Sequence, residues 1–366
     1  MKRFHFRYYF GGIALILLVL QLITGIFLTM YYEPNLREAY ASVQALYQDS
    51  FLHSWMRDSH RWLAFFIVTS VVVHFFRSLL RKDYLRPRKR VSWLTGMLLI
   101  LVILFISVTG FILPWEWKGY WFMEMVPNLA GELPFIGEPL KNGLISFFTL
   151  NRVFVAHILL LPLVSIILID IHVFGHLRNR KGGIPRYLMM HGLITLPVIV
   201  VVAVLAATVQ MPTSDPDIIP LPLEGRFVPT IEWYVLIFYV PFMYFENWIG
   251  PTLGLYLPGV LFLLLAAAPF FLRRKPLEER KKSKLSPTMK KVAAFVVVTS
   301  ICSVFFGSVY TAGYRSPTMG CNSCHNIYMG RRMGVPPDDF RDREKLPLLD
   351  DNQWMVEHWF APQQTW

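Results

Sequence analysis

Charged residues are scarce in this chain. They make up 16% of its 366 residues against 54% hydrophobic ones, which excludes an ordinary soluble protein. Cysteine is scarcer still, with three residues, at positions 302, 321 and 324. An iron–sulfur cluster held by four thiolates is therefore beyond this chain alone. Carboxylates are outnumbered, 24 against 36 Lys and Arg, giving a net charge of +12. The excess is not a nucleic-acid surface, because 23 of those 36 cations fall in four short segments, 1–10, 77–90, 178–186 and 273–291. Cations gathered in alternate loops are the topology signal of a multi-pass membrane protein.

Apolar sequence fills the space between these segments. Seven runs are long enough to cross a bilayer, near residues 11–31, 60–80, 92–113, 153–174, 192–209, 251–272 and 292–312. The expected fold is an all-α membrane protein of about seven transmembrane helices. The first run follows Lys2, Arg3 and Arg7, but it is too long for a cleaved leader and lacks a small-residue cleavage site. It reads as a retained helix. The basic segments then face the cytoplasm, with the N-terminus, and the C-terminal tail lies outside. Residues 232–249 are also apolar, but they carry Glu232, Glu246 and Pro241. Counted as a span they would put 273–291 outside, so they read as an interfacial amphipathic segment. The chain divides into a four-helix part, 1–190, a three-helix part, 191–314, and an outer tail, 315–366.

Four histidines stand in two matched pairs on the apolar runs: His60 and His74, then His157 and His172. Only Asp170 offers a carboxylate within either interval. A spacing of 14 brings two side chains to within about 40° of each other, roughly 21 Å apart along a helix. The spacing of 15 is expected to give nearly the same result. Packed antiparallel, the two helices would set His60 opposite His157 and His74 opposite His172. An ionisable residue inside a bilayer is costly and functional by default. Zinc and non-haem iron gather their ligands around one point, whereas two separated bis-histidine layers suit two haem groups.

The tail carries Cys321-Asn-Ser-Cys324-His325, the CxxCH pattern of covalent c-type haem attachment. A zinc site would need a second Cys/His pair. Cys302 lies within the seventh run and reads as packing. Only 41 residues follow His325, too few for a packed cytochrome domain. The second axial ligand therefore comes from this tail or from a partner. His358, between Trp354 and Trp359, is favoured over Met333, Met329 and Met355.

With these residues in view, the chain resembles the cytochrome b family of Rieske/cytochrome b complexes from about residue 8 to 312. It looks most like the chloroplast and cyanobacterial form, with cytochrome b and subunit IV fused and a haem c extension added. Gly11 and Gly25, then Gly96 and Gly110, repeat the 14-residue interval of the histidines. In the family such glycines make room for haem planes. The resemblance pairs Arg57, Arg61 and Arg77 with haem propionates. Thr109–Trp121, TGFILPWEWKGYW, resembles the segment that opens the outer quinol site at Pro114 and Trp115. Ile231-Glu232-Trp233-Tyr234 resembles the PEWY motif, with isoleucine in place of proline. The family's cysteine near the start of helix one is absent, so no covalent haem is expected there.

The resemblance implies two haem b groups, one covalent haem c, and quinone or quinol as substrate, in a bacterial inner membrane. Quinol would bind outside, between Pro114–Trp115 and Glu232, with Tyr234 beside it. Glu232 is the candidate proton acceptor, since burial raises a carboxyl's pKa toward the working range. Quinone would be reduced near Arg178, with His176 a further candidate lining the inner pocket. The partners implied are membrane lipid, a Rieske iron–sulfur protein or a periplasmic multihaem cytochrome c, and a second copy of the chain. Non-bifurcating conduction to a multihaem cytochrome, or anchoring of an external oxidoreductase, are the alternatives.

Overall fold

The computed structural model describes residues 9–116, 133–147, 149–175, 181–210 and 248–272, with isolated residues elsewhere, Tyr234 and Val235 among them. Every regular element among the described residues is helical. Among the described residues, six helices are long and apolar enough to cross a bilayer: α1 (Phe10–Thr29), α3 (Phe51–Leu80), α4 (Arg90–Ile112), α6 (Leu150–Phe174), α7 (Gly183–Thr208) and α8 (Ile249–Phe271). Two shorter helices, α2 (Ala39–Asp49) and α5 (Gly137–Phe147), lie in the connections. The seventh expected span, 292–312, falls outside the described residues apart from isolated helical positions.

Two spans begin about nine residues before the apolar runs. α3 starts at Phe51, where the Ser50 hydroxyl accepts a hydrogen bond from the His53 N–H and caps the first turn. α7 starts at Gly183, after Gly182 turns the chain at φ 69°. Hydropathy marks the part of a helix that sits in hydrocarbon; the polar turns beyond it escape that signal. At the head of α6, the Thr149 hydroxyl caps the Arg152 N–H in the same way.

The tightest helix packing sets α1 against α3 and α4 against α6. The two histidine-bearing helices, α3 and α6, therefore belong to different pairs and face each other across the bundle. α7 lies over α1 and α3, and α8 over α4. Indole donors tie these outer helices on: Trp55 Nε1 donates to the Ala203 carbonyl at 3.0 Å, and Trp93 Nε1 to the Leu265 carbonyl at 2.7 Å. Where lipid is as apolar as leucine, packing and interhelical hydrogen bonds hold helices together. The core is built from Ile13, Leu17, Leu63, Ile67, Ile103, Val153 and Val202. Leu163, Leu193 and Leu263 point outward, as a lipid-facing surface requires.

Candidate functional site

His60 and His157 stand with ring centroids 6.4 Å apart, and His74 and His172 6.3 Å apart. This is the pairing expected from antiparallel helices. Two imidazoles on one metal ion, with bonds of about 2.0 Å and roughly 1.1 Å from nitrogen to ring centre, would be separated by about 6.2 Å. Among the described residues no point gathers three or more His, Cys, Asp or Glu side chains into a metal cluster. The histidines work as pairs.

The glycines face the histidines of their own layers. A Cβ on Gly25 would lie 3.2 Å from His60 Cε1, and one on Gly110 3.0 Å from His157 Cε1. At the other layer, a Cβ on Gly11 would lie 2.8 Å from His74 Cε1, and one on Gly96 3.0 Å from His172 Cε1. Bare backbone beside each ring lets a flat macrocycle approach the helix. Ring spacing and glycine cradles both fit two bis-histidine haems.

The 15-residue interval in α6 is explained by its backbone. On a regular α-helix His172 would be turned roughly 60° from His157, whereas 14 residues turn a side chain about 40° the other way. α6 contains two π turns, Ala156–Leu160 and Asp170–Phe174, each holding one histidine. A π turn widens the ring of the helix and takes in surplus sequence, so both rings can face α3. Pro162, which cannot donate to the preceding turn, follows the first of them.

Threonine precedes three of the four glycines. Thr24, Thr109 and Thr95 place their hydroxyl oxygens 2.9, 3.0 and 3.1 Å from Nδ1 of His60, His157 and His172. Phe10 precedes Gly11, and His74 Nδ1 is buried with no hydrogen-bond partner among the described residues. These Thr-Gly pairs are legible in the sequence once the layers are known, but their role needs the histidine in place to be seen.

The N-terminal end of α3 and the turn that follows α4 meet in a buried ionic cluster that sequence reading did not single out. Arg57 Nη1 lies 3.1 Å from Asp58 Oδ1 and Arg57 Nη2 lies 3.2 Å from Glu116 Oε1. Arg57, Asp58 and Glu116 are 4, 2 and 2% exposed. The Tyr47 hydroxyl donates to Asp58 Oδ1 at 2.7 Å, and the Arg57 guanidinium lies 5.3 Å from the Tyr47 ring centre. Burial pushes the Tyr47 phenol far above its usual pKa, so it stays a donor. Trp115, fully buried at φ 49°, makes the turn that ends α4 and swings Glu116 back over the bundle. Tyr32 supports this corner, donating to the Leu113 carbonyl at 2.6 Å. Arg57, expected to serve a propionate, therefore already holds two carboxylates with its terminal nitrogens.

Tyr234 is buried, with its ring stacked on Phe111 at 6.2 Å between centroids. Tyr234 thus packs on the neighbour of Gly110, in the layer of His60 and His157, although 123 residues separate Phe111 from Tyr234 in the sequence. Pro114 is half-buried in the same corner. Arg61 and Arg77 lie one and three positions beyond His60 and His74 on α3. Arg178 is ion-paired with Asp170 at the C-terminal end of α6, their side chains 56 and 40% exposed. Glu232, His176, Cys321, Cys324, His325, His358, Met329, Met333 and Met355 lie outside the described residues.

A fifth histidine resembles a ligand only superficially. His191 on α7 packs so closely on α1 that a Cβ on Gly12 would fall 1.8 Å from its Cδ2. Its Nδ1 lies 2.8 Å from the Tyr187 carbonyl, and its ring sits between Tyr9 and Tyr187. No second histidine faces it among the described residues. It is a packing residue at the α1–α7 contact.

Six apolar helices with paired histidines in two layers define a multi-pass membrane haem protein. Residues 2–180 match the family model of cytochrome b/b6/petB, and this part of the chain belongs to the cytochrome b family. Members of that family bind haem b. A solved structure described as a hyperthermophilic respiratory Complex III is similar over 90% of this chain and 89% of that one, with a TM-score of 0.64 at 21% identity. The likeness in fold therefore continues past residue 180 into the helices that follow.

Proposed function

We propose that this chain is the electron-transfer subunit of a membrane quinol:cytochrome oxidoreductase. It would move electrons between quinone and partners outside the membrane, with coupled proton translocation, through two haem b groups and one covalent haem c. The observation that carries this reading is the pair of histidine layers, each with ring centroids 6.3–6.4 Å apart and each cradled by two glycines. When bound, the haems supply one-electron centres stacked across the membrane.

The chain's own residues hold, shield and handle protons. His60 and His157 would hold the outer group, and His74 and His172 the inner one. Arg61 and Arg77, with the donors of Arg57 left over from Asp58 and Glu116, would bind propionates through charge-assisted hydrogen bonds. Pro114, Trp115 and Tyr234 would wall an outer quinol pocket and keep water from it. Glu232 would accept one quinol proton there as general base. Arg178 would lie near the inner quinone. In the tail, Cys321 and Cys324 would bond the haem c, and His325 and His358 would hold its iron. A Rieske protein or a multihaem cytochrome c would take the outgoing electron, the subunit working as a homodimer within the bacterial inner membrane.

Haem analysis tests the reading. Acid-acetone should extract two haems per chain and leave one covalently attached. His60→Ala and His157→Ala should lose the same spectral component, and His74→Ala and His172→Ala the other. Loss of one component by His60→Ala and His172→Ala together would overturn the layer assignment.

A further inference from the structure

The three Thr-Gly pairs do more than make room. Each threonine hydroxyl has its own hydrogen committed to the helix that carries it. Thr24 Oγ1 donates to the carbonyls of Leu20 and Gln21 at 3.1 and 3.0 Å, and Thr109 Oγ1 to those of Phe105 and Ile106, both at 2.9 Å. Thr95 Oγ1 donates to Val91 at 2.8 Å and Ser92 at 3.3 Å. With the hydrogen so placed, the oxygen presents a lone pair to the histidine, and only an Nδ1–H can complete that contact. His60, His157 and His172 are thereby held as the tautomer with hydrogen on Nδ1 and a lone pair on Nε2.

His74 is the exception. Phe10 stands where the others have threonine, and α1 begins at that residue. His74 Nδ1 is correspondingly left without a partner among the described residues.

The geometry points to Thr24, Thr95 and Thr109 as positioning residues that fix the tautomer and donor strength of three haem ligands, two in the outer layer and one in the inner. This rests on the bis-histidine reading above. A hydrogen bond from the far side of a ligating imidazole orients the ring and raises its basicity, and its loss commonly weakens metal binding by about 10–100-fold. A more basic ligand favours the oxidised iron, so removing the acceptor should raise the potential of that haem. The outer layer has two such bonds and the inner layer one, an electronic asymmetry written in the helix sequences.

The experiment is a redox titration of the purified haem-loaded protein, following the two b-haem components optically, on Thr→Val and Thr→Ser variants at each position. Valine keeps the shape without the acceptor; serine restores the acceptor without the methyl. Thr24→Val and Thr109→Val should each raise the midpoint of the outer component alone, and Thr95→Val that of the inner component alone. Serine should return each midpoint toward wild type. If a valine variant loses its haem, the serine variant decides: haem held at the wild-type midpoint supports the assignment, and haem lost or shifted as in valine overturns it. Midpoints unchanged in all three valine variants, or both components moving together, would also overturn it. Failure of the bis-histidine reading looks different: His60→Ala would then keep both components.

Discussion

Arg57 Nη2 lies 3.2 Å from Glu116 Oε1 with both side chains almost wholly buried, although 59 residues separate the two in the sequence. The pair ties the polar head of α3 to the turn that closes α4. Removing one partner of a buried ion pair strands a charge, at a cost of about 3–5 kcal/mol. Arg57→Gln should therefore sharply lower the thermal midpoint in detergent, since it strands both Asp58 and Glu116. Arg178→Gln breaks the exposed pair with Asp170, worth about 0–1 kcal/mol. Equal losses in the two variants would show that the outer cluster is better solvated than its burial indicates.

Adding a methyl group at the glycines should act layer by layer. Gly25→Ala and Gly110→Ala would press on His60 and His157 and deplete the outer haem, while Gly11→Ala and Gly96→Ala would deplete the inner one. Gly12→Ala would instead collide with His191, lowering yield and thermal stability with the haem-to-protein ratio unchanged. Gly192→Ala, where nothing lies within 4 Å, is the control. Optical quantification of the two b components, normalised to protein, reads all of these.

Acid stability should depend on Asp83 in the loop between α3 and α4. Burial works to raise its pKa, but Lys89 at 2.7 Å, Arg86 and Arg81 outweigh it and hold the carboxyl below its usual value. A carboxyl with a depressed folded pKa contributes stability that is full above the unfolded value, about 4, and is lost as pH falls through the lower folded value. Asp83→Asn should thus lower the thermal midpoint at pH 7, with the gap from wild type closing toward pH 3. A gap that stays constant over that range would assign Asp83 a purely steric role.

Glu232→Gln should slow quinol oxidation by about 10²–10⁴-fold while leaving all haem spectra intact, because the amide keeps the shape and cannot take the proton. Rates within about two-fold of wild type across pH 6 to 8 would count against the general-base role. The outer quinol site would then rest on Pro114, Trp115 and the Tyr234–Phe111 stack.

Cys321→Ala combined with Cys324→Ala should abolish covalently bound haem and leave the two extractable haems in place. A haem stain after denaturing electrophoresis shows the outcome directly. Loss of all three haems together would mean that the tail is needed to assemble the bundle.

The two histidine layers are legible in the sequence. Apolar runs identified the six described spans, because hydrocarbon demands a continuous stretch of residues that no soluble helix needs. The near-equal intervals of four histidines and four glycines named the two layers and their pairing, since helical periodicity turns spacing into direction. Other features depend on contacts between distant segments. The π turns that make a 15-residue interval serve as a 14-residue one are a matter of backbone hydrogen bonding, invisible to side-chain periodicity. Glu116 read as one polar residue in an aromatic segment until the left-handed turn at Trp115 brought it to Arg57. Thr24, Thr95 and Thr109 gain their role only in the packed bundle, where each hydroxyl stands between its own helix and a histidine on another. Composition and period determine which helices form and which face of each is polar; only their packing decides which polar atoms meet, because a hydrogen bond depends on a few tenths of an ångström between chains far apart in sequence.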